Sequence, residues 1–434
     1  MTTNWRNWSG QHRATATTRA TPVTEVELRH AVGDAVRSGR RIKAVGAGHS
    51  FTPIAVADDV LLDLAGWTGL VAHDRERHRV TVRSGTRLWQ LSLLLTELGL
   101  AMTNLGDIDR QSIAGAIATG THGTGAEYGS LSSQVVGMTM INGRGEDVVV
   151  TDDDPELLNA CRVSLGALGI VTDVTLQCEP AFDLSIREEH APFTELVTDW
   201  RQRRTGADHF EFYWFGHSDT VITKSLTREP GPGPAPGARQ RVARWASAEL
   251  LDNATFGLLC EVGRLSPSLV PGLNRLATRA WTPTTRRDRS DQVFTSARRV
   301  RFREMEYGFA VDEVPAVLQE LRRLFVSGGH RVTFPVEVRV AAAEDAWLSM
   351  AYGRATGYVS VHQYVREPPE EYFAAVEELF VAHGGRPHWG KQHTRAAVDL
   401  AASYPRLADF VELRDRNDPD RLFANPYLEQ VLGS

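Results

Sequence analysis

The stretch Val45-Gly46-Ala47-Gly48-His49-Ser50-Phe51 decides the fold of this chain, because it follows directly on a short predicted strand at residues 42–45. Glycines permit positive φ angles and close approach of the backbone, so the amides of this first glycine loop (residues 46–50) can surround an anion such as a pyrophosphate. The loop is not the dinucleotide-binding G-x-G-x-x-G motif, since Phe51 stands where the third glycine belongs and no amphipathic helix follows. On its own it is equally compatible with a tight turn.

The segments around this loop alternate between helical and extended patterns. A helix is predicted at residues 24–37, where Thr24 and Glu27 form a capping box and Gly39 follows the last turn. Further predicted elements are strands at residues 60–64, 79–83 and 135–142 and a helix at residues 86–98. This mixture indicates an α/β or α+β domain over about the first 180 residues.

A second glycine block, residues 115–129, contains the run Thr119-Gly120-Thr121-His122-Gly123-Thr124-Gly125. Two loops rich in Gly, Thr and Ser, each with a histidine, predict a cofactor whose phosphates lie between two backbone segments; a pair of tight turns is the alternative. No metal site is predicted, because the candidate histidines lack the i, i+4 spacing of a zinc-binding helix and no Cys or Asp completes a ligand set. The histidines weighed for this role are His49, His122, His388 and His393.

From about residue 182 the sequence changes to longer, alternating strands. In residues 334–340 the apolar side chains alternate with Glu337 and Arg339, which therefore share one face; His362 and Tyr364 share a polar face in residues 358–364. Glu337 and Arg339 form either an exposed ion pair or a pocket wall, in which the acid accepts hydrogen bonds from substrate hydroxyls. Two neighbouring polar faces favour the pocket wall. A glycine-bounded loop, residues 384–393, presents His, Trp and Lys391 together, as an ordinary turn or as part of that pocket.

Length and composition set the broad class. A chain of 434 residues favours two domains or one with a large insertion, and a net charge of -6 argues against a nucleic-acid partner.

The basic run at residues 298–303 is interpreted as a solvated strand face, and residues 230–237 as a surface loop. No apolar run reaches the roughly 20 residues of a membrane span, and the Met1 end lacks a signal-peptide pattern. Three cysteines without metal spacing indicate a cytoplasmic protein.

Taken together, these blocks resemble the vanillyl-alcohol-oxidase type of FAD enzyme, and within it the sugar-1,4-lactone oxidase branch, with alditol oxidases as near relatives. The resemblance spans nearly the whole chain. It rests on ordered blocks at residues 5–10 (WRNWSG), 45–51, 115–125, 166–171, 305–307 (MEY), 337–339 (EVR), 386–391 (RPHWGK), 417–419 (NDP) and 423–428 (FANPYL). Six or more blocks in this order are far more specific than any one of them.

The resemblance implies an α+β, two-domain FAD-binding fold of the PCMH type with a substrate-binding cap domain on a large antiparallel sheet of about seven strands. The implied boundaries are an FAD-binding domain at 1–180, a cap domain at 181–380 and a C-terminal segment at 381–434 that returns to the flavin. His49 is expected to carry FAD through its 8α-methyl group, a link that raises the flavin's potential and prevents cofactor loss.

The resemblance also implies site residues. Those expected to bind the cofactor are Val45, Gly46, Ala47, Gly48, His49, Ser50, Gly106, Asp107, Ser112, Gly115, Thr119, Gly120, Thr121, His122, Gly169, Ile170 and Lys391. Those expected to be catalytic are Glu337, Arg339, Lys391 and His362, and those expected to bind substrate are Glu337, Arg339, Tyr364 and Lys391.

The implied reaction is oxidation of an L-gulono-, L-galactono- or D-arabinono-1,4-lactone at C2 by hydride transfer to flavin N5, giving an ascorbate-type product. The alternative is an alditol oxidase that makes an aldose and hydrogen peroxide, against which Tyr364 counts, because alditol oxidases tend to carry a smaller hydroxyl residue there. Electrons are expected to pass to O2, or to a quinone or cytochrome. The small Gly106, where some relatives carry a residue that shields the flavin, would permit reaction with oxygen.

Two readings from other classes are less favoured. A pyridine-nucleotide dehydrogenase would need a helix after residues 120–125, where a strand is predicted, and an acidic residue placed for a ribose. A non-catalytic binding protein would not require Glu337, Arg339 and Lys391 together.

Overall fold

In the computed structural model, which describes residues 5–231, 254–296 and 298–434, the strands form a five-stranded sheet, an eight-stranded sheet and three smaller ones. The strands are β1 (Trp5–Arg6), β2 (Arg13–Ala14), β3 (Thr18–Ala20), β4 (Ile42–Val45), β5 (Val60–Asp63), β6 (Leu70–Asp74), β7 (Arg79–Arg83), β8 (Leu100–Ala101), β9 (Val135–Ile141), β10 (Asp147–Thr151), β11 (Ile170–Gln177), β12 (Glu179–Pro180), β13 (Phe182–Pro192), β14 (His209–Phe215), β15 (Thr220–Pro230), β16 (Thr285–Arg289), β17 (Phe302–Ala310), β18 (Pro335–Ala341), β19 (Thr356–Tyr364) and β20 (Arg386–Pro387).

Helices connect these strands. They are α1 (Glu25–Ser38), α2 (Leu88–Glu97), α3 (Ile113–Ala118), α4 (Pro155–Arg162), α5 (Phe193–Thr198), α6 (Trp200–Arg203), α7 (Thr255–Leu265), α8 (Val270–Ala280), α9 (Ser290–Phe294), α10 (Val314–Ser327), α11 (Glu370–Ala382), α12 (Ala397–Ser403), α13 (Leu407–Asn417) and α14 (Pro426–Leu432). No helix in the described ranges is long and apolar enough to cross a membrane.

The first glycine loop is placed by a small parallel sheet and one helix. β4 and β3 both pair in parallel with β5, and the loop leaves the end of β4. Helix α1 covers this sheet. Thr24 Oγ1 accepts from the backbone of Glu27, whose carboxylate accepts from the backbone of Thr24, so the capping box is confirmed. Gly39, at φ 61°, ends the helix, as the sequence predicts.

The neighbouring sheet has the order β10-β9-β11-β7-β6 and is antiparallel throughout. Its strands β7 and β9 and helix α2 lie within two residues of their predicted bounds. The second glycine block differs from its prediction as a loop, because its first residues belong to α3. The side chain of Ser112 caps that helix by accepting from Gly115 N at 3.3 Å.

The eight-stranded sheet runs β16-β13-β15-β14-β18-β19-β17-β20, and all its pairs are antiparallel. Alternation along the strands gives it one apolar and one polar face. The apolar face packs against α10 and α11 through Phe212, Trp214, Val336, Val338, Val359, Val361, Tyr307, Val317, Leu321, Phe325 and Phe380. The other face is therefore turned away from these helices.

The last segment packs on the first half of the chain. Ile42 N in β4 donates to Leu422 O at 2.9 Å, and Leu422 and Phe423 share a core with α1. The Asn425 amide donates to three carbonyl oxygens of residues 53–56. The domain boundaries themselves stay predictions. Of the surface loop predicted at 230–237, residues 232–237 lie outside the described part of the chain.

Candidate active site

The first glycine loop offers its backbone rather than its side chains. A Cβ on Gly46 would lie 2.2 Å from Ser112 Oγ, so only glycine lets the loop approach the start of α3 this closely. Gly48 has φ +71°, a conformation that other residues rarely adopt. Within the described residues, the backbone N–H groups of residues 47–50 donate to no protein acceptor. A concave backbone with free N–H groups suits an anionic ligand.

Several other expected cofactor residues are placed by close backbone contacts or by burial of their side chains. Gly106 backs onto the second glycine block, because a Cβ there would be 3.1 Å from Thr121 Cγ2, and Gln111 donates to Thr121 Oγ1. Gly169 lies against the backbone of β9 at the start of β11, where a Cβ would be 2.7 Å from Ile141 O. The side chains of Val45 and Ile170 are buried in separate small cores, so both can offer only backbone to a ligand.

Asp107 faces the second half of the chain. Its carboxylate accepts from Ser296 Oγ at 2.6 Å and from Arg298 Nε at 2.7 Å. Burial acts to raise the pKa of Asp107, but the guanidinium groups of Arg298 and Arg339 outweigh it and lower that pKa to about 2. Arg298, in the basic run at 298–303 that is interpreted as a solvated strand face, does have an exposed side chain, but it precedes β17 and pairs with Asp107.

His49 is held by ring stacking. Its imidazole lies over Trp8, with ring centroids 5.8 Å apart and planes inclined by 27°. Burial, and then the positive charges of Arg87, Lys391 and Arg110, lower the pKa of His49 to about 4. The ring is therefore neutral at physiological pH, with a lone pair on one nitrogen.

The polar face of the eight-stranded sheet collects charged side chains from five adjacent strands. Directly opposed residues of antiparallel strands lie on the same face, and the registers align Lys224 with Glu211, Glu211 with Arg339, Tyr213 with Glu337, Glu337 with Ser360, Ser360 with Glu306, and His362 with Glu304. The predicted common face of Glu337 and Arg339 is confirmed. Beside it lies a small cavity lined by Leu105, Asp107, Gly123, Thr124, Glu211, Lys224, Leu226, Phe294 and Arg339.

Arg339 lies between two carboxylates. One guanidinium nitrogen pairs with Glu337, and Nε lies 3.1 Å from Glu211 Oε2 without the alignment of a hydrogen bond. Lys224 Nζ donates to the other oxygen of Glu211 at 2.8 Å. Burial raises the pKa of Glu337 in spite of Arg339, whereas Lys224 and Arg339 outweigh burial and lower the pKa of Glu211. Glu337 is thus the less firmly ionised of the two acids.

Lys391 and His362 meet at one carboxylate, that of Glu304. Lys391 Nζ donates to Glu304 Oε2, and His362 Nε2 lies 3.6 Å from Oε1. Lys391 is expected from the sequence to serve both cofactor and substrate, and its ammonium also lies 5.3 Å from the centre of the Phe51 ring, beside the first glycine loop. Burial acts to raise the pKa of Glu304, but Lys391 and His362 outweigh it and lower the pKa to about 2.

A third cluster joins His122, Glu306, His388 and Ser360, whose side chains are all buried. Ligand atoms of the first three lie within 4.8 Å of one another, a spacing that also suits a metal ion. His388 Nδ1 accepts from Gly390 N at 2.9 Å, and burial lowers its pKa to about 3, so the neutral ring carries its proton on Nε2 and has no lone pair there. His122 Nε2 lies 2.6 Å from Glu306 Oε1. The arrangement is that of a hydrogen-bonded charge cluster.

The expected site residues and those found on the polar face are not the same set. Tyr364, expected to bind substrate, directs its hydroxyl at Glu261 in α7, at 2.6 Å, away from Glu337 and Arg339. Conversely, the polar face holds four charged residues that are not among the site residues predicted from the sequence, namely Glu211, Lys224, Glu304 and Glu306. The available signal was alternation in residues 209–213 and 302–310, which places Glu211 and Glu304 opposite the aromatic core positions.

Comparisons with known proteins agree with this architecture. The chain matches the family model of the FAD binding domain over residues 17–151 and that of D-arabinono-1,4-lactone oxidase over residues 174–431. It is 39% identical to L-gulono-1,4-lactone dehydrogenase of Mycobacterium tuberculosis, over 100% of both chains. It is 30% identical to L-gulonolactone oxidase of Scyliorhinus torazame, over 99% of this chain and 98% of that protein. It is 31% identical to alditol oxidase of a Streptomyces species, over 100% of both.

Among solved structures, cholesterol oxidase of Brevibacterium sterolicum superposes with a TM-score of 0.81 over 99% of this chain and 96% of that one. At 18% identity this likeness concerns the fold alone. The expected α+β FAD-binding fold with a large antiparallel sheet is confirmed, and within the described residues that sheet has eight strands rather than about seven. The chain belongs to the D-arabinono-1,4-lactone oxidase family and is an FAD-dependent aldonolactone oxidoreductase.

Proposed function

We propose that the protein oxidises a sugar 1,4-lactone of the L-gulono, L-galactono or D-arabinono type at C2, giving a 2-keto lactone that tautomerises to an ascorbate-type enediol. The observation that carries this proposal is that Glu337 and Arg339 share a sheet face with Glu304, whose carboxylate binds Lys391 beside the first glycine loop, in a chain of this family. When bound, FAD supplies the redox chemistry by accepting a hydride at N5.

Glu337 and Arg339 bind the substrate in this proposal. Glu337 accepts hydrogen bonds from the lactone hydroxyls, and its carboxylate is held in place by Arg339. Arg339 is fixed on both sides by carboxylates, so its remaining N–H groups are oriented before substrate arrives. Fixed donors of this kind stabilise negative charge on the oxygen being oxidised without reorganising.

His362 is the proposed acceptor of the hydroxyl proton. Its Nδ1 lies 3.0 Å from Pro335 O, which can only accept, so Nδ1 donates to that oxygen and Nε2 is the nitrogen left to take up the hydroxyl proton. Nε2 lies on the side of Glu304, whose carboxylate stabilises the imidazolium that forms. Lys391, held by the same carboxylate, supplies a fixed positive charge near the reacting groups.

We also propose that FAD is bound by residues 45–50 and 119–122 and is covalently linked to His49. The fit is supported by the free N–H groups of residues 47–50 and by the tight contact of Gly46 with Ser112. The neutral imidazole of His49 supports the link, since a lone pair is needed to bond the 8α-carbon.

The electron acceptor is proposed to be O2 or another acceptor such as a quinone or cytochrome, with Gly106 leaving room for oxygen. A cytoplasmic location belongs to the same proposal and is supported by three unpaired, buried cysteines. The second candidate is an alditol oxidase, which the relative at 31% identity favours. Tyr364 does not decide between the two, because its hydroxyl binds Glu261.

The test is anaerobic bleaching of the flavin absorbance by a panel of L-gulono-, L-galactono- and D-arabinono-1,4-lactones, xylitol and sorbitol. We expect rapid bleaching by at least one lactone and slow or no bleaching by the polyols, and loss of bleaching in Glu337→Gln. Bleaching by polyols alone would make the protein an alditol oxidase. Acid precipitation tests the link: yellow colour should remain in the pellet of the unmodified protein and pass to the supernatant in His49→Ala.

A further inference from the structure

The hairpin of residues 5–14, formed by β1 and β2, covers the outer side of the first glycine loop. Three hydrogen bonds join the two segments: Trp8 N to Gly48 O at 2.7 Å, the Asn7 side-chain amide to Ser50 O at 3.0 Å, and His12 Nε2 to Phe51 O at 2.9 Å. All three acceptors are backbone carbonyls, so the hairpin contributes the donors and the loop contributes the acceptors.

These bonds set the direction of two peptides, the one between Gly48 and His49 and the one between Ser50 and Phe51. A carbonyl and the N–H of the following residue point in opposite directions, because they belong to one planar trans peptide. Since Gly48 O points at the hairpin, the N–H of His49 points away from it, where it has no partner among the described residues. The peptide between Ser50 and Phe51 follows the same rule, with Phe51 N donating to Gly390 O at 2.7 Å.

The hairpin also fixes the imidazole. The ring centroid of Trp8 lies 5.8 Å from that of His49 and 5.3 Å from that of Phe302 in β17. No hydrogen bond to the His49 ring is found in the described part of the chain, so stacking is the contact that orients it. Trp8 thereby connects the first glycine loop to the eight-stranded sheet.

We propose that this hairpin is a clamp for the cofactor, and that Asn7 and Trp8 are positioning residues for FAD. Asn7 holds the peptide that follows Ser50, and Trp8 holds both the carbonyl of Gly48 and the ring of His49. The clamp keeps the N–H and the imidazole of His49 on the cofactor side, and it fixes the peptide after Ser50, whose N–H binds Gly390 O. This inference rests on the proposed binding of FAD by residues 45–50, and not on the identity of the substrate.

The experiment compares purified Asn7→Ala, Trp8→Ala and Trp8→Phe with the unmodified protein, and uses Arg13→Ala, an exposed change on the same hairpin, as the control. The measurements are the flavin-to-protein ratio, the fraction of flavin that remains with acid-precipitated protein, and the thermal unfolding curve. We expect Asn7→Ala to bind FAD about tenfold more weakly, as for the loss of one well-made hydrogen bond, and Trp8→Phe to lower the precipitated fraction by half or more. Arg13→Ala should match the unmodified protein.

A merely structural hairpin gives a different pattern. In that case the unfolding temperature falls, while folded Asn7→Ala and Trp8→Phe hold as much FAD as the unmodified protein; that outcome overturns the proposal, as does equal flavin loss in Arg13→Ala. If Trp8→Ala does not fold, the two milder variants decide. The proposed lactone oxidation is tested separately, by bleaching of the unmodified protein with the lactone panel. The proposed clamp is tested by flavin retention alone, and that result does not depend on which substrate reacts.

Discussion

The first glycine loop and the polar face of the eight-stranded sheet differ in the chemical groups that they present to a ligand. The loop presents backbone N–H groups and leaves no room for side chains at Gly46. The polar face presents acidic and basic side chains, and Glu211, Glu337 and Glu304 each pair with a Lys or an Arg. A backbone cradle binds a constant ligand at any pH, whereas paired charges can gain or lose a proton during a reaction.

The two regions also respond differently to substitution. In a glycine loop an added side chain causes steric crowding, which a smaller side chain at a neighbouring position can relieve. A buried charge cluster fails when one member is removed, because the remaining charge loses its partner but stays out of water. Disrupting the polar face should therefore cost more than disrupting the loop.

The largest effect is expected for Arg339→Ala. The change leaves Glu337 and Glu211 without their shared guanidinium, and breaking a buried pair costs about 3–5 kcal/mol of unfolding free energy. Flavin reduction by lactone should fall about 10²-fold or more, as for the loss of a fixed donor at a developing oxyanion. Chemical denaturation and stopped-flow reduction measure the two effects.

Its matched control is Arg322→Ala, which removes a pair with the exposed Asp219 on the opposite side of the sheet. Exposed pairs contribute about 1 kcal/mol or less. Equal losses in the two variants would contradict the picture of a buried charge cluster.

Glu304→Gln should have the next largest effect and should separate catalysis from cofactor binding. The amide keeps the shape of Glu304 but removes the charge that holds Lys391 and faces His362. A hydrogen bond to a charged group contributes about 1.5–3 kcal/mol, so we expect flavin reduction to slow by about 10- to 150-fold. Flavin content should match that of the unmodified protein. Glu371→Gln, on the exposed start of α11, is the control, and a fall in flavin content in Glu304→Gln would contradict the separation.

Gly46→Ala tests the other region and should weaken FAD binding without affecting the charge cluster. The added Cβ would lie 2.2 Å from Ser112 Oγ, and overpacking of this kind costs about 1–3 kcal/mol, or about 5- to 150-fold in affinity. The double variant Gly46→Ala/Ser112→Ala should recover much of the flavin content, since it removes the crowded atom. Gly272→Ala in α8, where a Cβ meets nothing within 4 Å, should leave flavin content unchanged.

The two regions also differ in what the sequence reveals. The first glycine loop and α1 depend on neighbours within a few residues, so glycine spacing and the capping box of Thr24 and Glu27 predict them well. The pair Glu337 and Arg339 was predictable from alternation in one strand. Their partner Glu211 was not, because β14 lies more than 100 residues away in sequence and becomes a neighbour of β18 only through the strand order.

The same limit explains Tyr364 and Lys391. Alternation correctly places Tyr364 on the polar side of β19, but the strand ends there and α7 offers Glu261 as its partner, which no local pattern indicates. The resemblance indicates Lys391, but its partner Glu304 comes near only through the pairing of β17 with β19 and β20.

The smallest effect is expected for a substitution of Lys43. This lysine is buried in β4, beside the first glycine loop, and is therefore a buried basic side chain outside the polar face. Its ammonium donates to Phe423 O at 3.1 Å, and burial lowers its pKa from 10.5 to about 7. Between these two pH values the unfolded chain binds more protons than the folded one. The free energy of unfolding therefore rises with pH from about 7 toward 10.5. Below pH 7 the full cost of burying the charged ammonium is present. Lys43→Met removes that cost. The stability of the variant relative to the unmodified protein should therefore fall by about 1 kcal/mol between pH 6 and pH 8, in urea denaturation at each pH. A constant difference would mean that Lys43 stays charged in the folded protein, and that the carbonyls of the C-terminal segment solvate it as well as water does.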